Sequence, residues 1–126
     1  MTMNPRIGTI AVLGASPNPE RYSFQAVRLL AEHGYHPVPV HPAAPTVAGI
    51  PAVTELAEVP RPVDTLTIYL NSERSSALTE AILALAPRRI IFNPGTENPT
   101  LAARCREQGI VVEEACTLVL LRTGQF

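Results

Sequence analysis

The chain contains no lysine: all ten of its basic residues are arginine, and eleven acidic residues bring the formal charge to -1. That balance leaves no electrostatic footprint for a phosphate backbone, so nucleic acid is not expected as a partner. Cysteine is scarce as well. Cys105 and Cys116 stand without CxxC spacing or a His/Cys cluster, which argues against a disulfide framework or zinc site and fits reduced thiols in a cytoplasm. Long apolar runs are missing. Thr117 to Leu121 falls far short of the roughly 20 residues of a membrane helix, and no signal-peptide pattern opens the chain; a soluble, cytoplasmic protein is expected. Aspartate occurs once, as Asp64.

What is present suits one compact domain over residues 1–126, with 46% hydrophobic and 17% charged residues. A chain of this size buries roughly two-thirds of its unfolded surface and needs no staple. Its 13 prolines lie between apolar runs and punctuate them. Thr9 to Leu13, followed by Gly14-Ala-Ser16, reads as a strand buried on both faces that ends in a tight turn. Ser23 is placed to cap a helix with Phe24, Val27, Leu30 and Ala31 on one face, and Gly34 to end it. Tyr35 to Val40 reads as a second strand. Pro37 and Pro39 each remove a ladder donor, which sends that strand to an edge.

A loop with one helical turn at Thr54 to Glu58 leads to a third strand, Val63 to Leu70. A helix capped by Asn71 or Ser72, with Ala77, Leu78, Ala81, Ile82 and Leu85 in register, should stop before Pro87. Arg89 to Phe92 gives a fourth strand, Asn98-Pro99 to Gly109 a helix, and Ile110 to Val112 a fifth strand. Strands alternating with helices predict an α/β, Rossmann-like doubly wound parallel sheet of five strands with helices on both faces. Ligands of such sheets sit beyond the carboxyl ends of the strands.

A dinucleotide fingerprint would read GxGxxG after the first strand, with a carboxylate near the end of the second. Here Gly14-Ala-Ser-Pro-Asn-Pro19 puts Ser16 and Pro19 at the later glycine positions, and Val40-His41-Pro42 carries no carboxylate. A standard NAD site is disfavoured. Gly14 for the turn, Ser16 as a hydroxyl, and Arg21 with Ser23 at a helix entrance could together hold a phosphate. The plainer alternative leaves Ser23 as a cap and Arg21 in solvent.

Ile10-Ala-Val-Leu-Gly-Ala-Ser16, Arg21-Tyr-Ser23, Gly34-Tyr-His-Pro-Val-Pro-Val-His-Pro42, Gly49, Val59-Pro60 with Val63-Asp64, and Gly95 form an ordered set. With them the chain resembles the small stand-alone CoA-binding proteins, whose domain is similar to the N-terminal domain of the succinyl-CoA synthetase alpha subunit. The resemblance implies that Gly14, Ala15, Ser16, Arg21 and Ser23 line the phosphate end of bound coenzyme A or acyl-CoA. It implies that Val40 and His41 border the adenosine, and that Tyr69, Leu70, Asn71, Asn93, Pro94 and Gly95 flank the ligand farther along. The chain departs at two places: His41 stands where the family usually has asparagine, and Asn93-Pro-Gly95 where it usually has a glutamine.

Titratable groups for acid–base chemistry are few. Asp64 opens the third strand, at the wrong end of the sheet, and reads as an ion-pair partner. In the synthetase family a phosphorylated histidine does the chemistry, but it lies in a domain this chain lacks, so His41 is read as a ligand contact or turn residue. Cys116 follows Glu113 and Glu114, which oppose thiolate formation, and reads as a buried structural thiol. The expectation is non-catalytic binding of CoA or acyl-CoA through its ADP portion, with no metal. The alternatives are an accessory chain of an acyl-CoA ligase and an atypical NAD(H) sensor. A homodimer or a separate protein partner is left open, as is the packing of Thr117 to Leu121.

Overall fold

The chain folds, in the computed structural model, which describes residues 8–126, into elements close to those the sequence predicts. In order they are β1 (Thr9–Leu13), α1 (Tyr22–Glu32), β2 (His36–Val40), the two-residue strands β3 (Thr46–Val47) and β4 (Ile50–Pro51), and a 3-10 turn at Leu56–Glu58. Then come β5 (Val63–Ile68), α2 (Ser72–Ser76), α3 (Thr79–Leu85), β6 (Arg89–Phe92), α4 (Pro99–Glu107), β7 (Val111–Glu114) and α5 (Thr117–Arg122). Five strands pair in parallel in the order β2-β1-β5-β6-β7, and β3 and β4 form a separate antiparallel hairpin. This is the doubly wound α/β sheet expected.

β1 is central because it can be: Ile10, Ala11 and Val12 are completely buried, and a strand with no polar side chain to solvate tolerates cover on both faces. Alternation then builds two cores. Ala11 and Leu13 join Leu66, Ile68, Ile90 and Phe92 beneath Ile82 and Leu85 of α3 and Leu101 and Cys105 of α4. Ile10 and Val12 face Val27 and Leu30 of α1 and Leu121 of α5. The Thr117 to Leu121 run is therefore a packing helix within this chain, its Thr117, Leu118 and Leu121 buried.

The prolines explain the edge. In β2, Pro39 O accepts the Val53 N–H at 3.0 Å, so the backbone side on which a proline lacks its donor faces away from β1. A sheet interior would leave that ladder position empty; an edge does not. Gly34, at φ 85°, ends α1, with its N–H bonded to Ala31 O and the Tyr35 N–H to Leu30 O; this is a Schellman closure that needs the left-handed region.

Five expectations shift. The helix after β5 is two helices, because Asn98 Nδ2 donates to Ser72 O, Ser75 Oγ and Ser76 Oγ and pins a serine-rich turn that competes with regular helix. β5 ends at Ile68 rather than Leu70, and β7 runs Val111–Glu114 rather than from Ile110 to Val112. Ser23 does not cap α1; Arg21 occupies that position. Cys116 is half-buried rather than buried, whereas Cys105 is fully enclosed and burial pushes its thiol pKa up.

Asp64 lies at the start of β5 as an ion-pair partner, accepting from Arg88 Nε at 2.8 Å and Thr65 Oγ1 at 2.7 Å. Burial works to raise its carboxyl pKa, but these hydrogen bonds, with the charges of Arg88 and Arg89, outweigh it and hold the group below its ordinary value. The resulting stabilisation is fully present above the unfolded Asp value of about 3.9 and is lost as pH falls through the lower folded value. Asp64→Asn should therefore lower the melting temperature at pH 7 and flatten the acid limb of a stability–pH profile. An acid limb identical to that of the parent protein would contradict this assignment.

Candidate functional site

The carboxyl ends of β1, β2, β5 and β6 open into one cleft of about 910 Å³. Its floor depends on Gly14. This residue has φ 85°, and a Cβ there would stand 2.9 Å from Leu70 Cδ2 and 3.1 Å from the Tyr69 carbonyl carbon. The turn leaving β1 thus passes so close to the chain leaving β5 that no side chain fits between them.

Beyond it a chain of small hydrogen bonds shapes the loop. Ser23 Oγ accepts from Ser16 N–H at 3.0 Å, Ser16 Oγ from Asn18 N–H at 3.1 Å, and Asn18 Oδ1 from Glu20 N–H at 3.0 Å. Ser23, buried in the first turn of α1, anchors the loop rather than the helix. Arg21 then sits at the N-cap with no side-chain capping bond, since a guanidinium has donors only. The first amides of α1 consequently have no side-chain capping acceptor among the described residues, and the positive end of the helix begins at the cleft, which Arg21, Tyr22 and Ser23 line. Arg21 is exposed and, among the described residues, makes no salt bridge. Helix terminus and guanidinium together offer an anion two kinds of donor.

Ala15, Val40, His41, Tyr69, Leu70, Asn71, Pro94 and Gly95 also line this cleft. His41 is tied to its own turn: Nδ1 accepts from Ala43 N–H at 3.0 Å and Ala44 N–H at 2.7 Å. That geometry needs a lone pair on Nδ1 and leaves Nε2–H as the free donor. Asn71 caps α2, its Oδ1 accepting from Arg74 N–H at 2.9 Å.

Asn93 is the exception among the expected site residues. It is 3% exposed and does not line the cleft; Nδ2 donates to Thr67 Oγ1 at 2.7 Å and Ile68 O at 2.9 Å, while Oδ1 accepts from Thr117 N–H at 2.8 Å. With every amide position engaged, it ties β5, β6 and α5 together beneath the site. Tyr69 stands above this network with its hydroxyl buried and, among the described residues, unpartnered. Burial pushes its pKa up to about 12, tempered by the nearby hydroxyls of Thr117 and Thr67, which are already bonded to each other at 2.8 Å.

Sequence reading missed Arg74, which brings a second guanidinium to the cleft, and the wall from Thr54 to Ala57. Arg74 lies three residues after the Asn71 cap, in the first turn of the predicted helix, a signal that was available. Glu55 and Leu56 reach the site only because the segment after β4 binds the end of β2, through the Val40–Val53 bridge and His41 N–H to Val53 O at 2.9 Å. Among the described residues no group of three His, Cys, Asp or Glu side chains could hold a metal ion, and no helix is long and apolar enough to cross a membrane.

Sheet order, glycine turn and uncapped helix terminus define a Rossmann-like ligand-binding domain. The chain belongs to the CoA binding domain family, whose profile it matches over residues 8–122. It is similar to YneT of Bacillus subtilis (strain 168), an uncharacterized protein, with 31% identity over 106 residues that cover 84% of this chain and 68% of that one. Among solved structures it is similar to cell-free ID.343 from Thermus thermophilus, with 31% identity, a TM-score of 0.86, and 96% and 92% of the two chains covered. The fold also matches a dinucleotide-forming acetyl-coenzyme A synthetase 1 of Ca. Korarchaeum cryptofilum, solved with phosphate and ADP, at TM-score 0.71 and 23% identity. There the alignment covers 86% of this chain but 25% of the larger one, and the likeness is one of fold.

Two substitutions test the geometry. Gly14→Ala forces a Cβ against Tyr69 and Leu70 and should destabilise the fold by roughly 1 to 3 kcal/mol, read as a lower urea midpoint; an unchanged midpoint would mean the two exits are not in contact. Tyr69→Phe removes a buried hydroxyl with no hydrogen-bond partner among the described residues, so the stability should hold or rise by up to about 1 kcal/mol, read as an unchanged or higher urea midpoint. A clear loss would show the hydroxyl is partnered.

Proposed function

We propose that this protein binds coenzyme A or an acyl-CoA reversibly through the ADP portion, as a carrier or sensor that makes and breaks no bonds itself. The observation that carries this reading is the terminus of α1 without a side-chain cap beside the Gly14 turn, with Arg21, which makes no salt bridge among the described residues, at its edge. A diphosphate there receives amide donors and a planar guanidinium fork together. Membership of the CoA binding domain family supports the same ligand.

In this reading Gly14, Ala15, Ser16, Arg21 and Ser23 surround the diphosphate, with Ser23 acting through the Ser16 amide it holds. Val40 and His41 meet the adenosine, and Tyr69, Leu70, Asn71, Pro94 and Gly95 flank the pantetheine. Asn93 supports these from below rather than touching ligand. The domain spans the whole chain.

CoA should raise the stability by about 2.7 kcal/mol at a hundredfold excess over its dissociation constant. Arg21→Ala should weaken calorimetric binding by roughly 1.5 to 3 kcal/mol, with little change in the melting temperature of the free protein. Absence of both heat and stabilisation with the parent protein would remove the reading, and unaltered affinity in the variant would remove Arg21 from it.

A further inference from the structure

CoA differs from a plain ADP conjugate by a phosphate on the 3′ oxygen of its ribose, and the charges lining this cleft are unevenly placed for that group. No arginine or lysine occurs between Arg28 and Arg61, the whole stretch that builds β2, its turn and the wall beside it. In dinucleotide-binding doubly wound sheets the adenosine ribose lies at the end of the second strand, where those that take a ribose 2′-phosphate supply an arginine; a 3′-phosphate on the same ribose calls for a cation in the same neighbourhood. Here that position holds His41, Pro42, Ala43 and Ala44, and the Nδ1 of His41 is already occupied by two backbone amides.

The ionic side chain on the wall from Thr54 to Ala57 has the wrong sign. Glu55 follows Val53 by two residues, and Val53 is bonded to the end of β2 on both sides, to Pro39 O and by the His41 N–H. This brings Glu55 to the cleft wall beside the end of β2, where its side chain also accepts from the Glu58 N–H in a capping box of the 3-10 turn. The two guanidiniums of the cleft lie elsewhere, Arg21 on the entrance of α1 and Arg74 on α2 beyond β5, a pair matched in charge to a diphosphate.

We infer that the cleft recognises the diphosphate and leaves the ribose 3′ position without a cationic partner among the described residues, with Glu55 selecting against a phosphate there. This rests on the CoA-type reading of the site. The preferred ligand class is then an ADP conjugate with a free ribose, dephospho-CoA above CoA.

Calorimetric titration of the full chain with CoA and with dephospho-CoA tests the inference. Dephospho-CoA should bind more tightly, by about threefold for one partly screened carboxylate–phosphate repulsion. Glu55→Gln should improve CoA more than dephospho-CoA by the same factor, and Arg74→Ala should weaken both alike. CoA binding threefold or more tighter than dephospho-CoA would overturn the inference while leaving the CoA reading intact. So would Arg74→Ala weakening CoA alone, because Arg74 would then hold the 3′ phosphate. Failure of both nucleotides to bind would instead withdraw the underlying reading, and this inference with it.

Discussion

The close passage of two chain segments governs the rest of the molecule. β1 and β5 are neighbours, and as each leaves the sheet the turn at Gly14 lies against Tyr69 and Leu70 with no room for a Cβ. Because that turn is tight, the chain re-enters at once as the loop that Ser23 holds by the Ser16 amide, and α1 starts at the cleft mouth. An ordinary N-cap of serine or aspartate would satisfy the amides of α1 from within the chain. Arginine cannot, and the same substitution of residue type that leaves them open adds a cation beside them.

The layer beneath the site is polar where a sheet of this kind is ordinarily aliphatic. Thr67, Asn93 and Thr117 are buried and mutually bonded, and Arg89, buried at the opposite end of the sheet, bonds Thr65 and Glu113 and lies 4.5 Å from the Phe126 ring. Satisfied polar groups of this sort fix one arrangement of strands and helices, since any slip leaves a donor without a partner. They also explain how a short β6, Arg89–Phe92, stays registered between β5 and β7.

Much of this was legible in the amino-acid sequence. Continuous apolar runs placed β1 and β6, the alternation with helices gave the doubly wound sheet, and the two prolines sent β2 to the edge for a reason the Pro39–Val53 hydrogen bond makes explicit. Gly14 and Arg21, which line the cleft, were readable as candidates because a turn after a buried strand restricts what can follow it. Other features depend on contacts remote in sequence. Asn93 reads as a strand-end ligand residue, yet its partners Thr67 and Thr117 lie more than twenty residues away on either side. Ser23 has the residue type of a cap and serves a loop instead, because the cap position falls two residues earlier, at Arg21. Glu55 enters the cleft only through a bridge to β2 that no local pattern announces.

Backbone amide chemical shifts recorded while CoA is added to the labelled protein test the central claim most directly. The account predicts the largest changes at Gly14 to Ser16 and Tyr22 to Phe24, where the turn and the open end of α1 meet the diphosphate. Changes confined to the apolar groove outside β2, around Ala31, Tyr35 and Ile50, would contradict it.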